Sequence, residues 1–98
     1  MAKRGMLTQT VIELTEKLFG YPFNQTELRL VPYFHYIMVN NQRIELERIN
    51  YEEMEILSKW QELGFIVEGE PLSCTHKFWQ AINEVLFIAY VDFENQPN

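Results

Sequence analysis

The residues with the most recognisable chemistry are a cysteine and a histidine two positions apart, Cys74 and His76. A catalytic cysteine needs a base in hydrogen-bond contact and a third group that orients this base. Side chains two residues apart at the start of a helix point in different directions. With His35 distant in the sequence, the pair also falls short of the four ligands of a structural zinc site. We therefore predict neither a nucleophile nor a metal centre.

Glutamates are the second candidate group, because Glu52, Glu53 and Glu55 lie close together. General acid–base catalysis would require one of these carboxyl groups to lie in an apolar pocket that shifts its pKa. Glutamate in the first turn of a helix has a simpler cause, since it complements the helix dipole. Asp92 is the one aspartate and the four glycines are scattered, so no Asp-rich Mg²⁺ or Ca²⁺ site and no phosphate loop is expected. The sequence predicts a protein that is not an enzyme and uses no cofactor.

The charge balance restricts the partners of the chain. It has 14 acidic and 8 basic residues, which gives a formal net charge of -6 at pH 7. Nucleic-acid binding relies on basic residues that neutralise phosphates, whereas residues 50–72 contain six glutamates and one lysine. Hydrophobic residues make up 47% of the chain and aromatic residues 14%, which is rich for one small core. We therefore expect another protein, rather than nucleic acid, as the partner.

The length of 98 residues predicts a single domain over residues 1–98, with residues 1–5 and 93–98 as flexible termini. The single cysteine excludes an internal disulfide and is typical of a reducing compartment. The N-terminal residues lack the apolar stretch of a signal peptide. The longest apolar run, residues 85–91, is far shorter than the roughly 20 residues of a membrane span. These features predict a cytoplasmic protein that does not enter a membrane.

Three helices are predicted from apolar spacing and capping residues. Leucines and a valine within residues 7–18 recur at helical intervals, and Gly20 stands where a left-handed stop belongs. The second helix begins at the N-cap Asn50, where Glu53 completes a capping box, and Gly64 ends it. The third helix follows a cap at Ser73 or Thr75.

The middle of the chain predicts a β-hairpin. Residues 24–27 have the spacing of another capping box, but Pro32 limits this helix to at most two turns. Residues 33–39 are almost all aromatic or β-branched and run into Asn40-Asn41, a pair that tolerates the backbone of a tight turn. The alternative is a helix through residues 33–41. Pairing across the turn would give one apolar face, formed by Ile37, Val39, Ile44 and Leu46.

The last helix is apolar nearly all round between Trp79 and Tyr90, so it must be covered nearly all round. Either the rest of the domain wraps it, or another chain covers one flank. Phe78 and Trp79 are adjacent and cannot face the same way, and tryptophan is enriched at interface hot spots. We predict a homodimer through this C-terminal helix. The residues expected to contact a partner protein are Trp60, Trp79, Phe87, Tyr90, Glu52 and Glu55.

Residues 56–66, a short acidic turn and residues 72–75 together resemble part of a winged-helix domain. In that family a recognition helix often ends in a Leu-x-x-x-Gly-(Leu/Phe)-Ile pattern, here Trp60 to Ile66, and a wing hairpin and a dimerisation helix follow. The resemblance covers residues 56–90 and implies a dimeric DNA-binding regulator. The acidic side chains departing from that role are Glu52, Glu53, Glu55 and Glu62 on the helix, and Glu68 and Glu70 in the wing.

The sequence therefore predicts an α+β domain of three helices with a β-hairpin and a short third strand at residues 65–67, similar to a winged helix. The expected function is that of a small acidic, non-enzymatic protein that binds a protein target and regulates or inhibits it. An acidic surface is suited to a basic, nucleic-acid-binding surface of the target. The alternative is a dimeric winged-helix transcriptional regulator that binds DNA.

Overall fold

The computed structural model describes residues 2–67, 69 and 71–96. Over these residues the chain is mostly helical, with four α-helices and one small antiparallel sheet of two strands, which is compatible with the predicted α+β class. Both strands lie between the third and fourth helices. In chain order the elements are α1 (Gln9–Phe19), α2 (Gln25–Val39), α3 (Tyr51–Glu62), β1 (Ile66–Val67), β2 (Ser73–Cys74) and α4 (His76–Leu86).

The predicted stop of α1 and the predicted start and stop of α3 are confirmed. Gly20 follows α1 with a φ of 87°, the left-handed conformation that ends a helix at little cost for glycine. Asn50 accepts a hydrogen bond from the backbone of Glu53, whose carboxylate accepts one from the Asn50 N–H, so the predicted capping box begins α3. Gly64, with a φ of 78°, lies just past the end of α3.

The predicted β-hairpin of residues 33–46 is wrong, and the alternative, a helix through residues 33–41, forms instead as part of α2, which ends at Val39. Val39 and Leu46 are 57% and 62% exposed, so the predicted apolar strand face does not exist. Asn41 does adopt a left-handed backbone with a φ of 52°, but it follows the end of a helix rather than joining two strands. The buried side chains recur at the helical interval of three residues: Leu28, Val31, Phe34 and Ile37.

Helix α2 continues past Pro32 because a distant residue replaces the hydrogen bond that proline cannot make. Proline has no N–H, so within a helix it leaves the carbonyl four residues earlier without a donor. That carbonyl belongs to Leu28, and the hydroxyl of Tyr90 donates to it at 2.9 Å. The helix therefore runs for 15 residues from the capping box of Asn24 and Glu27.

The third predicted strand is present as β1, and its partner β2 lies in the segment where the winged-helix resemblance implied a short wing hairpin. Strand β1 pairs antiparallel with β2, with Ile66 opposite Cys74 and Val67 opposite Ser73. Of the two predicted caps for the last helix, Thr75 is the one that accepts from the backbone of the first turn. The acidic residues of the wing in the winged-helix resemblance, Glu68 and Glu70, lie outside the described residues.

The core is built around Phe78 of α4, whose ring touches aromatic rings from all the other helices. The distances between ring centroids are 5.5 Å to Phe19 of α1, 5.4 Å to Phe34 of α2 and 5.1 Å to Trp60 of α3. Phe65, which precedes β1, stacks on Phe78 at 5.0 Å. Aromatic pairs at these separations contribute beyond the apolar area that they bury.

In each of the two terminal segments predicted to be flexible, one residue donates a hydrogen bond to the end of the last helix. Helix α4 continues into a π-helical turn, Phe87–Val91. The last carbonyls of a helix have no donor within it, and here Gly5 N–H donates to Ala89 at 2.8 Å. The side-chain amide of Gln96 donates to the carbonyl of Ile88 at 2.6 Å.

We expect Tyr90→Phe to lower the free energy of unfolding by about 1–3 kcal/mol, because the carbonyl of the buried Leu28 loses its donor. In a Pro32→Ala background the alanine N–H can donate to this carbonyl, so the same change should cost less than about 0.5 kcal/mol. Urea unfolding of the wild type, Tyr90→Phe, Pro32→Ala and the double variant measures the cost of Tyr90→Phe with and without the proline. As a control, Tyr36→Phe alters an exposed ring and should be nearly neutral. If Tyr90→Phe lowered the unfolding free energy equally in both backgrounds, the Tyr90 hydroxyl would not be replacing the hydrogen bond that Pro32 cannot make.

Candidate functional site

Trp60, one of the predicted interface residues, has no exposed surface and belongs to the core. Its indole N–H donates to the hydroxyl of Tyr21 at 3.0 Å, and this hydroxyl in turn donates to the carboxylate of Glu27 at 2.5 Å. The ammonium of Lys59 lies 3.1 Å from the same carboxylate oxygen. Trp60 therefore anchors a polar chain inside the fold, and its side chain is not accessible to a partner.

Glu27 is a buried carboxylate, 1% exposed, whose oxygens both accept hydrogen bonds. One oxygen accepts from the backbone of Asn24 at 3.1 Å, and the other from Tyr21 and Lys59. The Lys59 ammonium also lies 4.2 Å from the centre of the Tyr21 ring, a cation–π contact. A buried charge is tolerated when it is paired and hydrogen-bonded. The arrangement ties α2 to α3 and engages both oxygens of the Glu27 carboxylate.

Sequence reasoning missed this buried cluster of Tyr21, Glu27, Lys59 and Trp60. The capping-box spacing identified Glu27 as a helix-start residue, but its burial depends on tertiary partners far away along the chain. The signal available was weak, because Tyr21 lies in a short connection between Gly20 and Asn24 that has no helical or strand periodicity. Desolvation, helped by the hydrogen bond to Glu27, raises the pKa of Tyr21 far above its ordinary value of 10.0.

The last helix leaves part of its surface open, and the expected divergence of Phe78 and Trp79 is confirmed. Phe78 is 2% exposed, whereas Trp79 is half-buried and stacks on His35 of α2, with ring centroids 5.1 Å apart and planes within 13°. Beyond α4, Phe87 and Val91 are 52% and 65% exposed. Residues four apart on a helix share a side, so these two form a small apolar patch at the C-terminal end.

Tyr90 lies beneath the N-terminal segment rather than at the open surface. A Cβ placed on Gly5 would come within 2.8 Å of the Tyr90 ring, and Gly5 also has a φ of 72°, which favours glycine. Burial raises the pKa of the Tyr90 hydroxyl, which donates to Leu28. Its contacts are therefore those of a structural residue.

The predicted acidic residues of α3 are exposed on one side of the helix. We call Tyr51, Glu52, Glu55 and Glu62 the acidic face of α3. Tyr51 is 75% exposed, and a hydrogen bond with Glu55 raises the pKa of its hydroxyl. Glu52 accepts a hydrogen bond from Thr26 of α2 at 3.2 Å. This surface combines an accessible aromatic ring with several carboxylates.

A groove of about 460 Å³ lies beside the acidic face, between α3 and the segment of residues 43–49. We call this cavity the α3 groove. Its α3 wall consists of Met54, Leu57, Ser58 and Gln61, spaced as neighbours on one helix side. The segment opposite is the part of the chain for which the sequence predicted the second strand of a hairpin, so the groove could not have been predicted.

The cysteine and histidine noted in the sequence lie where the sheet meets α4. Burial raises the pKa of the Cys74 thiol, which keeps it in the less nucleophilic protonated form. His76 is exposed in the first turn of α4. Across the described residues, no group of three or more His, Cys, Asp or Glu side chains is placed to hold a metal ion.

Comparison with protein-family models, curated proteins and solved structures gives no significant match to this chain. The winged-helix resemblance of residues 56–90 therefore stays a prediction. Within the described part of the chain, none of the helices has the length and apolar character needed to span a bilayer.

The stability of the protein should depend on Tyr21 at high pH. The pKa of Tyr21 is raised in the folded state, so its contribution is complete below pH 10.0, the ordinary value, and is lost as the pH rises above it. We expect the wild-type unfolding free energy to fall faster above this pH than that of Tyr21→Phe. One proton limits the difference to about 1.4 kcal/mol per pH unit.

Urea unfolding at several pH values, with Tyr36→Phe as the matched exposed control, measures these slopes. The control should keep the wild-type slope. A Tyr21→Phe slope equal to that of the wild type would show that the hydroxyl is not held in its protonated form by the fold.

Proposed function

We propose that the chain is a small acidic cytoplasmic protein without enzymatic activity, which binds a protein target through the acidic face of α3 and so regulates or inhibits it. The observation that carries this proposal is the exposed ring of Tyr51 beside the carboxylates of Glu52 and Glu55. Aromatic residues dominate binding energy at many interfaces, and carboxylates favour encounters with basic surfaces.

The charge of the acidic face is not offset by the nearest cation on the same helix. Lys59 is the one lysine of residues 50–72, and its ammonium lies 3.1 Å from the buried Glu27. A basic target surface would therefore meet uncompensated carboxylates. Nucleic-acid-binding surfaces carry dense positive charge because they neutralise phosphates, so a groove of that kind on the target is the specific binding place that we propose.

We also propose that the C-terminal helix forms a homodimer. The apolar patch of Phe87 and Val91 is the part of this helix that the rest of the domain leaves open. Trp79 is half-buried against His35 and lies on the same element. A symmetric contact between two such patches would cover apolar surface that water now contacts.

The order of α3, β1, β2 and α4 favours a second candidate function, a dimeric winged-helix regulator that binds DNA. In such a domain α3 would enter the major groove. The carboxylates of Glu52, Glu55 and Glu62 oppose this function because phosphates repel them.

Target binding can be tested by affinity capture from a lysate of the cells that express the chain naturally. We expect a retained protein that is lost with the double variant Glu52→Lys/Glu55→Lys and kept with Glu13→Lys/Glu16→Lys, which reverses two exposed charges on α1. Reversal of two interface charges should weaken binding by about tenfold or more. If the double variant Glu52→Lys/Glu55→Lys retained the target as well as the wild type does, the proposal would be contradicted. Tight, sequence-dependent retention of duplex DNA in a gel shift at low salt would favour the winged-helix regulator instead.

Self-association can be tested by light scattering at micromolar concentration. The wild type should have the mass of a dimer, and Phe87→Ser should shift the equilibrium to the monomer because it removes an exposed apolar side chain from the contact. Val39→Ser on α2, which is 57% exposed, is the matched control and should remain dimeric. A wild type that is monomeric at this concentration would rule out the proposed dimer.

A further inference from the structure

We infer that the α3 groove binds a short basic segment of the target, with one large apolar side chain inserted between lysine or arginine residues. This inference rests on the proposed function, and it names the chemistry of the partner at one place beside the acidic face. A cavity of about 460 Å³ lies at the small end of the range for ligand pockets. It suits one or two side chains of an extended or helical segment rather than a folded domain.

The floor and the rim of the groove differ in exposure in a way that favours an apolar insert. Leu57 and Leu72, at 7% and 4% exposed, close the bottom of the groove. Leu46 and Met54 line the same cavity, yet they remain 62% and 43% exposed. They lie on opposite walls, one on the segment of residues 43–49 and one on α3. A side chain entering the groove would therefore cover apolar surface on both sides at once.

Carboxylates lie on one wall of the groove and beside the other wall. Glu45 and Glu47 line the wall opposite α3. On the α3 wall, Ser58 lies between two glutamates of the acidic face, Glu55 one turn earlier and Glu62 one turn later.

The nearby arginines offset only part of this negative charge. Arg48 pairs with Glu45 at 2.7 Å, and Arg43 lines the groove. Together, the two glutamates that line the groove and the two beside it outnumber Arg43 and Arg48. Charge complementarity accordingly selects cationic residues before and after the inserted apolar side chain, which is the chemistry of a basic amphipathic segment.

The probe is a short fluorescein-labelled peptide of leucine and lysine in amphipathic order, titrated with the full chain and followed by fluorescence anisotropy. Two comparison peptides have the same length: one contains lysine only, and one has glutamate in place of lysine. We expect the leucine–lysine peptide to bind best, the lysine peptide to bind more weakly, and the glutamate peptide not to bind.

Two matched pairs of variants locate the binding. Leu46→Ser should weaken binding of the leucine–lysine peptide about tenfold, whereas Val39→Ser, which is 57% exposed and lies outside both the groove and the patch of Phe87 and Val91, should not change it. Glu47→Lys should weaken binding about fivefold at low salt and less at high salt. Glu16→Lys on α1 is its charge-matched control and should bind as the wild type does.

Equal binding of the lysine and leucine–lysine peptides, or wild-type affinity of Leu46→Ser, would overturn the groove as the binding place. Either result is separable from the proposed function. If capture of a target still depended on Glu52 and Glu55, the acidic face would remain the proposed interface. Only the proposed insertion of an apolar side chain into the groove would then be wrong. Peptide binding that depends on Leu46 without any capture would instead support the groove and contradict the target surface.

Discussion

Phe78 lies where all four helices meet, and the rings of Phe19, Phe34, Trp60 and Phe65 surround it at 5.0 to 5.5 Å. This contact fixes the rotation of α4 about its own axis, because residues three, four, seven and eleven positions later lie on the same side of a helix. Ala81, Ile82, Val85 and Ala89 are buried accordingly. The same rotation turns Phe87 and Val91 outward. The sequence left open whether the last helix belongs to the core or to an interface. In the structure one side of the helix is buried in the core, whereas apolar side chains at its C-terminal end are exposed.

The elements that could be predicted from the sequence are those whose signals are local. Helices α1 and α3 begin and end at residues whose capping side chains or glycine conformations need no distant partner, such as Asn50 and Gly20. The region of residues 33–46 failed because its outcome depends on a distant contact. Pro32 ends a helix unless another donor reaches the carbonyl that it leaves free, and the donor is Tyr90, near the other end of the chain. No local sequence pattern indicates such a contact. The prediction for residues 33–39 therefore followed their β-propensity, whereas tertiary packing makes them helical.

The candidate surfaces divide in the same way. Exposure of Glu52 and Glu55 follows from their place in the first turns of α3, so the local sequence is enough to predict it. The burial of Trp60 cannot be predicted locally, since tryptophan is common both in cores and at interfaces. Its partner Tyr21 lies in a connection that gives no periodic signal. The α3 groove was inaccessible to prediction for a further reason: its second wall is the segment that the sequence placed in a hairpin.

The buried charge and the surface charge of α3 are linked through Lys59. Once Glu27 is enclosed at the start of α2, the fold requires a cation within reach, because an unpaired buried carboxylate costs several kcal/mol. Lys59 supplies it, and the ammonium is thereby turned toward α2 and Tyr21. The glutamates on the exposed side of α3 are left to repel one another across the surface, mildly, since water and salt screen them. A basic partner would relieve this repulsion and meet little competition from internal cations. The pairing of Lys59 with the buried Glu27 therefore leaves the negative charge of the acidic face without an offset from the lysine of its own helix.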